Sequence, residues 1–448
     1  MSRILNLIKT KKIRLPIWFG LLLNRIPFSL RPGINKEYKK QSNLINEFEH
    51  NMIEEKESYI VAQFVRIFTH AYKNIKFYND LYVKHGIKPE DIKTIDDIKK
   101  VPVITKSSLR KFDLVDRSFN VKNRLLVNTG GSSGEPFSFY TDPIRYGNEW
   151  AHIHNMWSVY DYKPSDLKLV LAGRIHAKDR VTYDFARNSL LYDIYGNENI
   201  QAQQLIRILK IYPIKYLHGY PSSIYEFAKY CETNNELLIS LKKHLKAAFL
   251  SSESPLPHYR DKIEKVFEIP TQPFYGHTET CVMAIEVEKY IYDAYQTYGF
   301  AEAIKSDDGK YHLVGTSYYN FASPLIRYDT EDIIEPMDLD EPILSKFKIT
   351  EGRIGEYILD RNGKKIPLTG LIYGRHHELF NYADHMQVFQ KEQGEAIILF
   401  VPNKIIDESE AQKLFNSNNV DVNFIFKKID KPILNNSGKV NLKVKTID

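Results

Sequence analysis

The sequence predicts an α/β protein with a large N-terminal domain on mixed, largely parallel sheets and a small α+β C-terminal domain. Short apolar runs are each followed by a turn and a helical stretch, at residues 216–230 and 246–267, and a further such unit is expected at 271–278. Repeated strand–helix units are typical of a parallel sheet, whose ligands lie at the carboxyl ends of the strands. A chain of 448 residues is also too long for one core. Past residue 355 short strands and one helix follow, enough for a second domain.

The N-terminal stretch, residues 1–94, is predicted to be a helical arm. Between residues 43 and 78 the apolar side chains fall mostly three and four positions apart, which is the spacing of a helix with one buried face. The following segment, 95–101, ends at Pro102, and Ser107 is expected to cap the next helix. These elements are assigned a scaffold role.

An apolar run at residues 13–30 could be mistaken for a membrane span. Polar residues and prolines interrupt it, so it is too polar to cross a bilayer; they are Arg14, Pro16, Asn24, Arg25 and Pro27. Lys9, Lys11 and Lys12 precede it. The amphipathic pattern favours an arm packed on the body of the protein, and peripheral contact with an anionic membrane surface is the alternative.

Charge and cysteine content narrow the class of protein. The formal net charge of +6 is mild for this length, and Lys and Arg are spread along the chain, which argues against nucleic acid as the main partner. ATP or an anionic surface would suit this charge equally well. Cys231 and Cys281 form no CxxC pair, so neither a structural zinc site nor a disulfide framework is expected. Two thiols fit a reducing cytoplasm.

A stretch rich in glycine and hydroxyl side chains, residues 127–142 (VNTGGSSGEPFSFYTD), is expected to be a loop between two strands. Glycines let consecutive backbone N–H groups point at one ligand, and small hydroxyls add donors, so a phosphate is the natural occupant. A plain hairpin turn is the alternative. The residues concerned are Thr129, Gly131, Ser132, Ser133 and Gly134.

The segment 272–281 (QPFYGHTETC) is a second candidate site. Tyr275 offers a flat face for a base, and Gly276 permits close approach of the backbone. Thr278 adds a hydroxyl, and Glu279 offers an oxygen ligand to a hard cation such as Mg²⁺. The same composition is common in ordinary turns, and His277 is expected to be a surface or internally satisfied histidine.

Two further segments carry charged residues. In residues 323–333 (SPLIRYDTEDI) a charge run would usually be a solvated face; alternatively, one aspartate accepts both ribose hydroxyls of a nucleotide. In residues 435–444 (NNSGKVNLKV) a glycine places Lys439 at a turn, where a solvated surface lysine is the usual outcome.

Taken in order, these segments resemble the motifs of the adenylate-forming superfamily of acyl-CoA synthetases and ligases. The matching segments are TGGSSGEP, YGHTE, RYDTED, and EGR with the later SGK. Within the superfamily the sequence is similar to phenylacetate-CoA ligase-like proteins and their CapK-type relatives, which are associated with capsular and cell-surface polysaccharides. The resemblance implies a large N-terminal adenylation domain, residues 1–352, and a small mobile lid domain, residues 353–448.

Carried over position by position, the resemblance implies three groups of site residues. The β- and γ-phosphates of ATP would be held by Thr129, Gly131, Ser132, Ser133 and Gly134. The adenosine would be bound by Tyr275 and Gly276, by Ser252 and Glu253 at the adenine edge, and by Asp332 at the ribose, with Arg353 at the hinge. The reacting groups would be met by Thr278 at the α-phosphate, by Glu279 as the Mg²⁺ ligand, and by Lys439 at the carboxylate and α-phosphate.

Three positions depart from the superfamily pattern. Glu135 stands where many members carry lysine, Glu331 replaces the usual glycine, and Gly355 stands where an aspartate or lysine often forms the hinge. These departures leave the acyl acceptor open. They affect adenylation less, since Glu279 and Lys439 are both present.

The resulting hypothesis is a ligase that joins a small carboxylic acid to AMP from ATP and passes the acyl group to an acceptor. The acceptor would be coenzyme A, or an amine or hydroxyl of a sugar or other metabolite. Arg174, His176 and His218 are candidate lining residues of the acyl pocket, with packing or surface positions as the alternative. The alternative function is a non-catalytic nucleotide- or acyl-sensing descendant; Lys439 argues against it, because a binding module needs no mobile lysine.

Overall fold

The computed structural model describes residues 16–31, 33–130, 136–172, 179–307, 309–338, 341–350, 356–373, 375, 377–433 and 441–447. The chain divides into two compact units. Unit 1 comprises residues 1–127, 138–165 and 272–352, and unit 2 comprises residues 128–137, 166–271 and 353–448. The domain boundary at residues 352 and 353 stays a prediction.

The α-helices in the described part of the chain are α1 (Ile17–Leu23), α2 (Glu37–His50), α3 (Ile53–Asn74), α4 (Lys76–Lys84), α5 (Ile95–Lys99), α6 (Lys106–Arg110), α7 (Arg145–Ser158), α8 (Glu198–Leu209), α9 (Pro221–Thr233), α10 (Asn235–Lys242), α11 (Pro257–Phe267) and α12 (Glu408–Leu414). None of them is long and apolar enough to span a membrane.

The strands are β1 (Leu125–Gly130), β2 (Pro136–Thr141), β3 (Lys168–Leu171), β4 (Thr182–Asp184), β5 (Ser189–Tyr192), β6 (Tyr216–Gly219), β7 (Ala247–Leu250), β8 (Thr271–Gly276), β9 (Met283–Glu288), β10 (Ile291–Ala294), β11 (Gly299–Lys305), β12 (Tyr311–Ser317), β13 (Tyr328–Pro336), β14 (Lys346–Ile349), β15 (Tyr357–Leu359), β16 (Lys365–Pro367), β17 (Ala383–Phe389), β18 (Glu395–Pro402), β19 (Asn423–Lys428) and β20 (Lys443–Val444).

Unit 1 is built on an antiparallel sheet with the order β11-β12-β13-β14-β10-β9-β8. Helix α3 buries one face, on which Ile60, Phe64, Ile67, Phe68 and Ala71 lie three and four residues apart, as the sequence predicts. The predicted strand–helix unit at 271–278 is wrong. Strand β8 is followed by strand β9 and not by a helix, and the two pair antiparallel, with Phe274 opposite Ile285 and Gly276 opposite Met283.

Unit 2 contains a parallel sheet with the order β7-β6-β3-β5, and β4 pairs antiparallel with β5. The strand–helix units predicted at residues 216–230 and 246–267 are confirmed as β6–α9 and β7–α11. All four residues of β7 are buried, as expected for a strand covered on both faces. The structure thus confirms the α/β class with a mixed sheet.

The C-terminal part of unit 2 has a second sheet, β19-β18-β17-β20, and a hairpin of β15 and β16. The strands predicted here are confirmed, and so is a helix that begins after Asp407, whose side chain accepts a hydrogen bond from the N–H of Glu410. One predicted cap is wrong. Helix α6 is capped by Thr105 and not by Ser107, because the Thr105 hydroxyl accepts the N–H of Ser108.

Candidate active site

Two of the predicted motifs meet in unit 1. The Tyr275 hydroxyl at the end of β8 donates to Asp332 Oδ2 on β13 at 2.6 Å. The Tyr328 hydroxyl, at the start of β13, lies 3.5 Å from Glu279 Oε1 in the turn after β8. Strands β8 and β13 are not neighbours in the sheet, so no backbone hydrogen bonds pair them. The two motifs are therefore connected by these side-chain contacts.

Glu279 is a buried carboxylate, 6% exposed. Burial alone would raise its pKa, but the hydrogen bond from His277 and the positive charge of Lys106 act in the opposite direction, and the pKa is lowered to about 2. The carboxylate is therefore ionised at every physiological pH. An ionised, buried carboxylate is the form in which a side chain can bind a hard cation.

His277 orients this carboxylate. Its Nε2 accepts the backbone N–H of Val282 at 3.0 Å, so the ring hydrogen sits on Nδ1, which faces Glu279 Oε2 at 3.4 Å. The sequence expectation of an internally satisfied histidine fits these contacts. The hydrogen bond at Nε2 fixes the tautomer of the ring, and the Nδ1–H group then points toward the carboxylate of Glu279.

The turn after β8 leaves room beside Tyr275. Gly276 is exposed, and a Cβ built on it would meet only the ring of Phe274, at 3.7 Å, so the backbone here is open to a ligand. Thr278 is exposed as well, and its carbonyl accepts from Arg145 Nη1 at 3.2 Å. Burial and the charge of Asp332 raise the pKa of Tyr275 well above its ordinary value, so its hydroxyl remains a donor.

The sequence reasoning missed Lys106, which it assigned to the scaffold. The side chain is 4% exposed, and Nζ lies 3.1 Å from Glu331 Oε2. The segment before it is fixed to β13, because the Ile104 N–H donates to the Arg327 carbonyl and the Asp329 N–H donates to the Ile104 carbonyl, each at 2.9 Å. A lone lysine at the start of a short helix was the available signal, and it is too common to single out.

Glu331 has a left-handed backbone, with φ of +65°. This explains in physical terms why glycine is usual at this position of the motif, since a side chain there costs about 1–2 kcal/mol. In this chain the glutamate side chain reaches Lys106.

Three predicted residues lie in unit 2, His218 within strand β6 and Ser252 and Glu253 after the neighbouring parallel strand β7. On β6, His218 Nδ1 lies 3.2 Å from the Phe249 carbonyl. The next residue is Gly219, where a Cβ would collide with the Leu171 carbonyl. Ser252 has φ of +70° in the turn after β7. Glu253 is buried, and its Oε2 accepts the N–H of Ser222 in the first turn of α9 at 3.2 Å. These loops lie at the carboxyl ends of the strands, as the parallel sheet predicts.

The other predicted residues are outside the described part of the chain. They are Gly131, Ser132, Ser133, Gly134, Arg174, His176, Arg353 and Lys439, together with the departures Glu135 and Gly355. Thr129 is described only as a backbone position in β1. Their roles stay predictions.

Comparison with known proteins gives one relative in sequence and several in fold. No family model matches the chain. Over 312 residues the chain is 25% identical to protein CapK of Staphylococcus aureus, a match that covers 67% of this chain and 68% of CapK.

Solved structures of 2-hydroxyisobutyryl-CoA ligase resemble the fold. One, in complex with 2-HIB-AMP and CoA in the thioesterification state, has a TM-score of 0.54 and 15% identity over 88% of this chain and 91% of that one. Another, with 2-HIB-AMP in the postadenylation state, has a TM-score of 0.51 and 15% identity over 88% and 90% of the two chains. These findings confirm the resemblance that the motifs predict: the chain is similar in sequence to CapK and has the fold of the adenylate-forming ligases.

Proposed function

We propose that the protein is an ATP-dependent, adenylate-forming ligase. It joins the carboxylate of a small acid to the α-phosphorus of ATP, with loss of pyrophosphate, and transfers the acyl group from AMP to an acceptor. The observation that carries this proposal is the pair of side-chain contacts between the YGHTE and RYDTED segments, Tyr275 with Asp332 and Tyr328 with Glu279. These contacts bring together the two motifs that the resemblance assigns to nucleotide binding.

The described residues fit a nucleotide. Asp332 offers acceptor oxygens to ribose hydroxyls, and Gly276 leaves its backbone open. Tyr275, the residue before Gly276, holds Asp332 in place through its hydroxyl. In the described part of the chain no cluster of three or more potential ligands gathers for a metal. Mg²⁺ commonly binds through one or two carboxylates plus substrate phosphates, so Glu279 with phosphate oxygens is a sufficient set. The ion would neutralise charge that develops on the phosphates.

In this reaction the protein provides positive charge and hydrogen-bond donors, and none of its side chains needs to act as the nucleophile. The acid's own carboxylate attacks phosphorus, and the negative transition state needs positioned cations and N–H donors. Lys439, a predicted residue, would serve the carboxylate and α-phosphate. His277 orients the carboxylate of Glu279 and helps to keep it ionised, and Lys106 adds positive charge close to this carboxylate.

The acceptor and the pathway belong to the proposal. Coenzyme A is one candidate, as in the relative whose structure contains it. An amine or hydroxyl of a sugar is the other. The motif resemblance to CapK-type proteins supports a place in cell-surface polysaccharide biosynthesis in the cytoplasm as the second part of this proposal.

Peripheral contact with an anionic membrane surface is also part of the proposal. Helix α1 exposes Trp18 and Leu22, 58% and 50%, one turn apart on the same face. Residues 1–36 contain basic side chains and no Asp or Glu; the basic ones are Arg3, Lys9, Lys11, Lys12, Arg14, Arg25, Arg31 and Lys36. Exposed apolar groups in a stretch of net positive charge suit such a surface.

A screen for pyrophosphate release tests the activity. The protein is incubated with ATP, Mg²⁺ and a panel of carboxylic acids, with coenzyme A, hydroxylamine or amino sugars as acceptors. Release that depends on one acid is expected, and the acceptor that speeds turnover identifies the second step. Lys439→Ala should lose this release and keep ATP binding. ATP binding without release for any acid would contradict the proposal and favour the sensing alternative.

A further inference from the structure

An arginine at the start of α7 is hydrogen-bonded to the turn that carries Thr278 and Glu279. Arg145, the first residue of the helix, is 9% exposed, and its Nη1 donates to the Thr278 carbonyl at 3.2 Å. The next residue along the turn is the buried carboxylate Glu279. The side chain of Arg145 therefore connects a helix of unit 1 to the turn that follows β8.

The position of this arginine is unfavourable for a cation in two ways. A buried guanidinium needs hydrogen bonds to replace its water, yet Nε of Arg145 has no partner in the described part of the chain. The dipole of a helix opposes positive charge in its first turn, and the first turn of α7 contains no acidic residue. The carboxylate of Asp142, just before the helix, is engaged by the N–H of Ile144 at 2.9 Å. An anion bound at the adjacent turn would offset part of both costs.

Among the described residues, no carboxylate forms an ion pair with the guanidinium of Arg145. Burial alone would lower its pKa, but the charge of Glu149 and the neighbouring Tyr146 and Tyr298 act in the opposite direction, and the pKa is raised. The guanidinium is therefore charged at every physiological pH. Glu149 lies one turn further along α7, and its Oε2 is buried without a hydrogen bond. Glu149 thus acts on this positive charge from a distance and leaves it able to attract an anion.

The start of α7 is held in place by side chains on two sides. From the N-terminal arm, Asn35 Nδ2 donates to the carbonyls of Pro143 and Ile144, at 3.0 and 3.1 Å. Within the first turn of the helix, Asn148 Nδ2 donates to the Tyr298 carbonyl at 3.2 Å. The helix is therefore a fixed support, and a side chain that projects from its first residue can hold the turn after β8 in one geometry.

We propose that Arg145 is a positioning residue of a phosphate-binding turn and that its charge attracts the α-phosphate of the nucleotide. This role rests on the proposed function and on the predicted contact of Thr278 with that phosphate. The hydrogen bond to the Thr278 carbonyl keeps the turn in place before the ligand arrives. A buried charge also acts more strongly on a nearby phosphate than the same charge in bulk water. The ligand class is a nucleoside phosphate, and adenosine without a phosphate would gain nothing from Arg145.

Arg66 on α3 provides a matched control in the same unit. Its Nη2 donates to the Tyr318 carbonyl at 3.1 Å, and its Nε has no hydrogen-bond partner in the described part of the chain, as in Arg145. Its guanidinium lies 5.0 Å from the centre of the Tyr319 ring, and that of Arg145 lies 4.9 Å from the centre of the Tyr146 ring. The two arginines therefore make the same kinds of contact, but Arg66 does not contact the turn after β8.

The test titrates the full chain with AMP and with adenosine by calorimetry. The wild type should bind AMP more tightly than adenosine. Arg145→Met should weaken AMP binding about tenfold or more and leave adenosine binding within about twofold, because a charge-assisted interaction with the phosphate is lost. Arg145→Lys keeps the charge and should regain most of the preference for AMP. Arg66→Met should keep both affinities.

Two results of these titrations would overturn the role of Arg145. The first is an equal loss of AMP and adenosine binding in Arg145→Met, or the same loss in Arg66→Met, because general destabilisation would produce either. The second is a wild-type protein that binds AMP no more tightly than adenosine.

Pyrophosphate release separates this inference from the proposed function. An AMP preference that depends on Arg145, in a protein that releases pyrophosphate with no acid, would contradict the ligase function and leave Arg145 as a residue of the phosphate site. Conversely, acid-dependent release at the wild-type rate in Arg145→Met, with an unchanged preference for AMP, would support the ligase function and overturn the role of Arg145.

Discussion

At the scale of the residue, the site depends on a few side chains whose neighbours set their charge and direction. Glu279 is buried and ionised because His277 and Lys106 compensate the cost of burial. Lys106 in turn is buried beside Glu331, whose backbone adopts a conformation that favours glycine. Each of these residues carries a local cost that a neighbour offsets, as is common at functional sites.

The first residue-scale prediction concerns acid stability. The pKa of Glu279 is about 2 in the folded protein, against about 4.5 for an ordinary glutamate, so ionisation stabilises the fold above pH 4.5 by on the order of 3 kcal/mol and this contribution is lost as the pH falls toward 2. Glu279→Gln should therefore be less stable than the wild type at pH 7, and the difference should shrink as the pH falls from 4.5 to 2.

Denaturant unfolding at several pH values measures this. A difference that stayed constant with pH would contradict the assigned ionisation. The same variant should lose Mg²⁺-dependent pyrophosphate release by orders of magnitude at pH 7.

The second residue-scale prediction separates strain from charge at Glu331. Glu331→Gln keeps a side chain on the left-handed backbone and loses the ion pair with Lys106. Glu331→Gly loses the same ion pair and also relieves the backbone strain. We expect Glu331→Gly to be more stable than Glu331→Gln by about 1 kcal/mol, measured by urea unfolding. Equal stabilities would mean that the backbone at this position is not strained.

At the scale of the element, helix α1 is short and exposes part of its apolar surface. Its neighbour Phe28 packs against Tyr38 and His154 in unit 1, with ring centroids 5.0 and 4.5 Å apart, so the arm is anchored after the helix and not by Trp18 itself. The contacts of Phe28 support the packed arm, and contact of the exposed face of α1 with a membrane stays a prediction.

The element-scale prediction is binding to anionic vesicles. Trp18 is exposed, whereas Trp150 is half-buried and Trp157 is buried, so Trp18 should contribute most to a blue shift of the fluorescence on adding phosphatidylserine vesicles, and Trp18→Phe should lose that shift. Binding should weaken with added salt and should be lost in Leu22→Ser, measured by vesicle sedimentation. Ile211→Ser, a change at another exposed apolar position, is the control. Equal binding of both variants would exclude α1 as the contact.

At the scale of the whole molecule, local patterns predicted more of unit 2 than of unit 1. The parallel strands and the C-terminal strands are apolar runs bounded by turn residues, and each can be predicted from its own local sequence. The antiparallel order in unit 1 depends on pairings between distant segments, such as β10 with β14, which no local pattern encodes. For the same reason the motifs predicted Tyr275 and Asp332 singly, whereas their contact and the role of Lys106 required the fold.

The burial of both cysteines makes the native protein nearly inert toward thiol reagents. Cys231 lies in the core face of α9, and the Cβ positions of Gly299 and Gly315 would collide with Cys281. Burial raises the pKa of both thiols, so little thiolate forms at neutral pH. A maleimide dye would therefore attach selectively at introduced sites such as Val115→Cys and Ile405→Cys, both highly exposed in the native chain. Distances between two such dyes, one on each unit, would follow any movement of the C-terminal domain during turnover without removal of a native cysteine.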